Sequence, residues 1–150
     1  GAYKTRGNVK PECAAEYNFF LDPKAASVVF SSTIPIQLVS LDGTIQLTFD
    51  KNKLSTNPMN PYGVIIKKII ENNQNDFQYF YDPLASGVVI DPTIATFGHP
   101  TSLAVIQIGK NRGKIIQTEN KNRNIRVIRK VNTKTFYSLL NFVCNKTIVL

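Results

Sequence analysis

The sequence predicts an α/β domain, with helices on a mixed sheet and a small antiparallel extension late in the chain. Three observations carry that expectation. Hydrophobic residues make up 43% of 150, enough for a packed core. Through Ile90, apolar segments of helical length alternate with short β-branched runs. After Ser102 the pattern changes to three short strand-like runs.

Taken in order, residues 1–21 read as a loop entering an apolar segment, Tyr17 to Leu21. Asp22-Pro23-Lys24-Ala25-Ala26 then opens a helix. Aspartate accepts hydrogen bonds from the unpaired amides of a first turn, and proline fits there because it has no N–H to leave unpaired. Val28, Val29 and Phe30 are its expected buried side, and Ser31-Ser32-Thr33 its end. Ile36 to Leu41 reads as a strand, followed by Asp42-Gly43-Thr44. Residues 50–61 hold three Asn and two Pro and read as a loop. Tyr62 to Glu71 places Val64, Ile65, Ile66, Ile69 and Ile70 at helical spacing, and Asn72 to Asp76 breaks the pattern. Asp82-Pro83-Leu84-Ala85 repeats the cap-and-proline signal, for a helix ending near Ile90 before Asp91-Pro92. Leu103–Ile108, Lys114–Thr118 and Asn124–Val131 read as strands, with Gly109 to Gly113 as a hairpin turn. The last helix spans Lys134 to Cys144, capped by Asn132 or Thr133, with Phe136, Leu139, Leu140 and Val143 as its buried stripe.

Charge and cysteines narrow the function classes. The net charge is +8, and half of the 18 basic residues lie between Lys110 and Lys134, where Glu119 is the only acid. Such a stretch can meet phosphates. It lacks regular aromatic interleaving and any zinc-finger, RNP or basic-zipper pattern, so a solvated basic surface is expected and no nucleic-acid partner. No apolar run approaches the ~20 residues that span a bilayer. The polar opening from Gly1 to Gly7 is no leader, and a chain starting without Met reads as a single partial domain over residues 1–150. Cys13 and Cys144 lie far apart and give no metal spacing, which predicts two free thiols and a cytoplasmic protein.

The informative chemistry lies in Gly7-Asn8-Val9 and Ala15-Glu16-Tyr17-Asn18. Two carboxamides and a carboxylate fall among small and apolar residues. Carboxamides both donate and accept, and a carboxylate accepts twice, which suits the hydroxyls of a sugar. The same residues suit a polar loop with local caps. Asp82 reads first as a helix cap, and a capping aspartate can still lend an oxygen to a hard cation. His99, the only histidine, has no partner near it in sequence and gives little support to a metal site or a triad. Gly109-Lys110-Asn111-Arg112-Gly113-Lys114 is not a phosphate loop, because no Ser or Thr follows the lysine and a strand, not a helix, comes next.

The ordered set of motifs resembles the inosine-uridine preferring nucleoside hydrolases. It comprises Gly7-Asn8, Ala15-Glu16-Tyr17-Asn18, Asp22-Pro23-Lys24-Ala25-Ala26, Leu41-Asp42-Gly43-Thr44 and Tyr81-Asp82-Pro83-Leu84-Ala85, and the stretch from Gly113 to Leu150 is similar to the end of those enzymes. The resemblance implies the C-terminal portion of a nucleoside-hydrolase-like, Rossmann-type fold. It implies cleavage of the N-glycosidic bond of purine or pyrimidine ribonucleosides, in nucleoside salvage, with calcium as cofactor. Asn8, Glu16 and Asn18 match the ribose-binding positions, and Asp82 matches a calcium ligand. Tyr81 stands where many members carry a catalytic histidine, and tyrosine is the poorer acid near neutral pH.

Two further departures stand out. The family's amino-terminal aspartate cluster, which supplies most calcium ligands and the general base, is absent, and calcium takes ~6–8 oxygens. About two extra residues fall near Glu12-Cys13-Ala14. The implied partners are therefore a ribonucleoside and either a separate N-terminal half or further copies of the chain. The alternative is a catalytically inactive truncated homologue that acts as a binding or scaffold protein. A sheet lacking half its strands would expose an edge and an apolar face, which predicts self-association.

Overall fold

The computed structural model describes residues 1–9, 15–72, 78–119 and 124–146. The first part of the chain forms α1 (Tyr17–Leu21), α2 (Pro23–Ser31), β1 (Ile36–Leu38), α3 (Leu41–Thr44) and α4 (Pro61–Asn72). The second part forms α5 (Tyr81–Ile90), β2 (Ala95–Phe97), β3 (Leu103–Val105), β4 (Ile115–Gln117), β5 (Ile125–Val131) and α6 (Thr133–Asn145). Single 3₁₀ turns occur at Lys51–Lys53 and Pro92–Ile94.

The sheet order is β1-β5-β2, with β1 parallel and β2 antiparallel to the central β5. β3 and β4 form the antiparallel hairpin expected from the sequence, turning through Gly109 and Gly113 at φ of 78° and 82°. A side chain at Gly113 would also meet the backbone of Phe19 and Phe20, so only glycine suits that position.

β5 serves two apolar clusters. Ile125 and Val127 pack with Phe30, Leu103, Val105 and Ile115. Ile128 and Val131 pack with Leu47, Phe80, Leu84, Val88, Ile94 and Phe136. Strict alternation would put residues 128 and 131 on opposite faces. Phe97 pairs with Ile128 but Thr96 with Lys130, so the register skips Arg129, and this bulge brings both side chains to one cluster.

Several expectations change. Tyr17 to Leu21 is a short helix, because the Glu16 side chain caps its first amides. The strand at Ile36 stops at Leu38, and Leu41 begins α3 instead. Val28 and Val29 are exposed, leaving Pro23 and Phe30 as the buried residues of α2. In α6 the buried residues are Phe136, Tyr137 and Cys144, and Val143 faces outward. The α6 cap is Asn132, whose side chain accepts from the Thr135 amide at 3.2 Å.

Val89 and Ile90 at the end of α5 are also exposed, and among the described residues β1 is hydrogen-bonded to one strand only. Arg112 stacks on the Phe20 ring at 4.1 Å, while Arg126, Arg129 and Lys130 lie exposed on β5. Lys121, Arg123, Cys13, the extra residues at Glu12-Cys13-Ala14 and most of the break after Asn72 lie outside the described residues.

Candidate active site

The site is assembled from four short pieces of chain. β1 ends at Leu38, and Val39 and Ser40 carry the chain out of the sheet into α3. Leu41 donates its amide to the carbonyl of Gly1 at 2.8 Å, which lays the first residues beside this turn. Asp42 then clasps the opening segment. Its carboxylate accepts from the amides of Tyr3 (2.9 Å), Lys4 (2.7 Å) and Thr5 (3.1 Å) and from Ser40 Oγ (2.6 Å). Burial acts to raise the Asp42 carboxyl, but the hydrogen bonds from Ser40, Tyr3 and Lys4 outweigh it and hold it below its ordinary value.

Beyond the clasp, Asn8 Oδ1 accepts from the Tyr17 amide at 2.8 Å, fixing the loop to the start of α1. Glu16 caps α1: its carboxylate accepts from the amides of Asn18 (2.9 Å) and Phe19 (3.3 Å). Glu16 is 7% exposed, and its Oε2 lies 3.2 Å from the amino group of Gly1. Asn8 thus satisfies a local amide as well as facing the cleft, and keeps its NH₂ donors. No hydrogen bond of the Asn18 side chain occurs among the described residues. Gly7 has no room for a side chain, since a Cβ there would overlap the Ala15 backbone.

The fourth piece is the start of α5. Here the sequence reading of Asp82 as a cap is corrected. The cap residue is Phe80, and Asp82 and Pro83 sit second and third within the helix. Proline is tolerated there because the amides of a first turn have no helical acceptor in any case. At Asp22 the same dipeptide does cap, its carboxylate accepting from the Ala25 amide at 2.8 Å. The Asp82 carboxylate has no hydrogen-bond or ion-pair partner among the described residues. It lies in the first helical turn, where the exposed amides favour negative charge.

These pieces enclose one cleft of about 430 Å³. Asn8, Glu16, Tyr17, Asn18, Tyr81 and Asp82 line it, together with Ser40, Leu41, Thr44 and Ala85. All five residues singled out in the sequence, Asn8, Glu16, Asn18, Tyr81 and Asp82, therefore share it. The sequence reading did not single out the hydroxyl residues Ser40 and Thr44, although Thr44 closes the motif Leu41-Asp42-Gly43-Thr44. The Tyr81 ring meets Tyr79 edge-on at 5.9 Å. Its hydroxyl is pushed above the ordinary tyrosine value by burial, then by Tyr79 and the Glu16 carboxylate, so it stays protonated at neutral pH. His99 lies elsewhere, beside a cavity shared with Tyr3, Lys4, Thr5 and Arg129.

Among the described residues, no group of three or more His, Cys, Asp or Glu side chains could hold a metal ion. Calcium asks for ~6–8 oxygens, so Asp82 and its neighbours do not by themselves form such a site. No helix is long and apolar enough to cross a membrane among the described residues.

Comparison with known proteins gives a consistent picture. The family model described as inosine-uridine preferring nucleoside hydrolase matches residues 1–138. The chain is 33% identical over 105 residues to an inosine-uridine preferring nucleoside hydrolase of Leishmania major, covering 64% of this chain and 32% of that protein. It is 38% identical over 95 residues to a pyrimidine-specific ribonucleoside hydrolase of Shigella flexneri, covering 62% of this chain and 29% of that one. A solved plant nucleoside hydrolase superposes with a TM-score of 0.78 at 22% identity, covering 96% of this chain and 51% of that structure. A Bacillus anthracis inosine-uridine preferring nucleoside hydrolase gives 0.74 at 24% identity, with 96% and 49% covered. The fold is that of these structures, and the chain spans about half of their length.

Proposed function

The chain belongs to the inosine-uridine preferring nucleoside hydrolase family, and on that premise we propose that it forms the sugar-holding part of a ribonucleoside hydrolase. The reaction is hydrolysis of the N-glycosidic bond, releasing ribose and a free base. Asn8, Glu16 and Asn18 hold the ribose hydroxyls, and Asp82 gives one ligand to a calcium ion whose other ligands lie outside these residues. The observation that carries the reading is a single cleft lined by all four side chains.

The chemistry supports it. Cleaving a glycosidic bond builds positive charge on the sugar ring. The Glu16 carboxylate is held by two amides in the cleft wall, so it meets that charge without having to reorganise. Carboxamides at Asn8 and Asn18 donate to and accept from ribose hydroxyls, which fixes the ring. Calcium, when bound, lowers the pKa of water.

The test is complementation. The chain is mixed with an N-terminal half from a relative, and inosine and uridine cleavage is assayed with calcium. Ribose release is expected, and Asn18→Ala is expected to lower it at least about tenfold through lost sugar hydrogen bonds. No release from the mixture, with ribose still bound, would favour the second reading, a catalytically inactive binding protein. That reading draws on the described residues alone, which hold no group of three or more His, Cys, Asp or Glu side chains placed for a metal ion.

Tyr81 is proposed to face the leaving base with a neutral hydroxyl. Because its pKa is raised, Tyr81→Phe is expected to change cleavage by less than about tenfold, with no shift of the pH profile near neutrality. A loss of about a hundredfold or more would make it the proton donor instead.

A further inference from the structure

Resting on the nucleoside hydrolase reading, we propose that Thr44 is a further sugar-positioning residue, whose hydroxyl turns into the cleft to bond a ribosyl hydroxyl. The motivating observation is an exception. Buried polar groups are normally hydrogen-bonded. Glu16, Ser40 and Asn60 obey this: Glu16 accepts from two amides, Ser40 donates to Asp42, and Asn60 donates to the carbonyls of Val143 and Lys146. Thr44 is 3% exposed, and its Oγ1 has no partner. The other such atom among the described residues, Thr5 Oγ1, belongs to a half-buried residue beside the His99 cavity.

The backbone does not explain the exception. The Thr44 amide donates to Ser40 O at 3.1 Å, and its carbonyl accepts from the Leu47 amide at 3.0 Å. The hydroxyl does not make the bond to a preceding carbonyl that usually satisfies a helical threonine. Thr44 nevertheless lines the cleft, with Tyr81, Asp82 and Ala85 of α5.

Threonine in a helix divides between two rotamers. Rotation about Cα–Cβ moves Oγ1 into new directions with little change in volume. A ligand hydroxyl arriving in the cleft would supply the partner that the fold withholds. The lining argues for a neutral polyol over an anion. It contains the Glu16 and Asp82 carboxylates and no Lys, Arg or His side chain, and its one cationic group, the amino group of Gly1, is paired with Glu16 at 3.2 Å.

Thr44→Val replaces the hydroxyl by a methyl group of similar size, and Thr44→Ser keeps the hydroxyl and loses the methyl group. Ribose binding to the full chain is measured by calorimetry, alongside thermal stability, with Asn18→Ala as reference. The expected result is about a five- to tenfold weaker affinity for Thr44→Val, near-parent affinity for Thr44→Ser, and no fall in Tm for the valine variant. Parent-like binding by Thr44→Val while Asn18→Ala loses ribose would overturn the Thr44 role alone. A lower Tm for Thr44→Val, with Thr44→Ser unaffected, would also overturn it, by showing that the hydroxyl bonds within the fold. Unchanged binding by Asn18→Ala, or none by the parent, would overturn the site reading on which it rests.

Discussion

Replacing Asp42 by alanine is expected to destabilise the chain by about 2–4 kcal/mol at pH 7, the largest stability effect of any site-linked substitution. The carboxylate accepts from three consecutive backbone amides and one hydroxyl. Its removal leaves those donors without their acceptor and frees the segment that leads to Asn8. The figure is held to the lower range because Asp42 is half-exposed and water can take over part of the bonding. The pH dependence has a definite sign. The folded carboxyl is held below its ordinary value, so its contribution is complete above about pH 4 and is lost as pH falls through the folded value. Denaturant unfolding of the parent and Asp42→Ala should differ most at pH 7 and converge towards pH 2. A variant as stable as the parent at pH 7 would show that the clasp does not hold the opening segment.

The largest effect on chemistry is expected at Glu16. Glu16→Gln keeps an oxygen that can cap α1 but removes the charge. Stability should fall by less than about 1 kcal/mol, in line with a cap retained in part. Cleavage by the complemented enzyme should fall by about 10²–10³-fold, the range seen when a preorganised electrostatic contact to a transition state is lost. Glu16→Ala removes the cap as well, and should also shorten α1. The two variants separate the roles. If the glutamine variant cleaves at the parent rate and only the alanine variant is impaired, Glu16 acts as a cap and not on the sugar.

The contrast between Asp22 and Asp82 shows what local sequence can and cannot fix. Both precede proline and both read as caps, but only Asp22 serves as one. Helix α5 begins two residues earlier, at Tyr81 instead of Pro83, because Phe80 lies buried against Phe136 and Tyr137 and anchors the chain there. A tertiary contact thus moved the boundary, and the move leaves the Asp82 carboxylate facing the cleft. α4 and α6 were legible because their length and spacing outweigh local variation. β2, three residues of Ala-Thr-Phe, has too little periodicity to read, and exists because β5 offers it a partner. α1 was hidden because its cap is a glutamate, whose longer side chain folds back onto the amides.

The same division holds in the site. Asn8, Glu16 and Asn18 are close in sequence, so their grouping was visible at once. Asp82 and Tyr81 join them only through the packing of α5 beside α3; Asp82 stood out as a helix-start carboxylate, and Tyr81 only through resemblance. Thr44 stood within the motif Leu41-Asp42-Gly43-Thr44, but a threonine there could not be told from a core residue until its hydroxyl proved to be unpartnered.

The central claim is that a sugar rests among Asn8, Glu16, Asn18 and Asp82. Its most direct test is titration of the ¹⁵N-labelled chain with ribose, followed by NMR. The account predicts saturable shifts at the side-chain NH₂ groups of Asn8 and Asn18 and at the amides of Tyr17 and Asp82. All should fit one affinity, while His99 and Arg129 stay unmoved. No saturable shift at those groups, or a response centred on the His99 cavity, would contradict it.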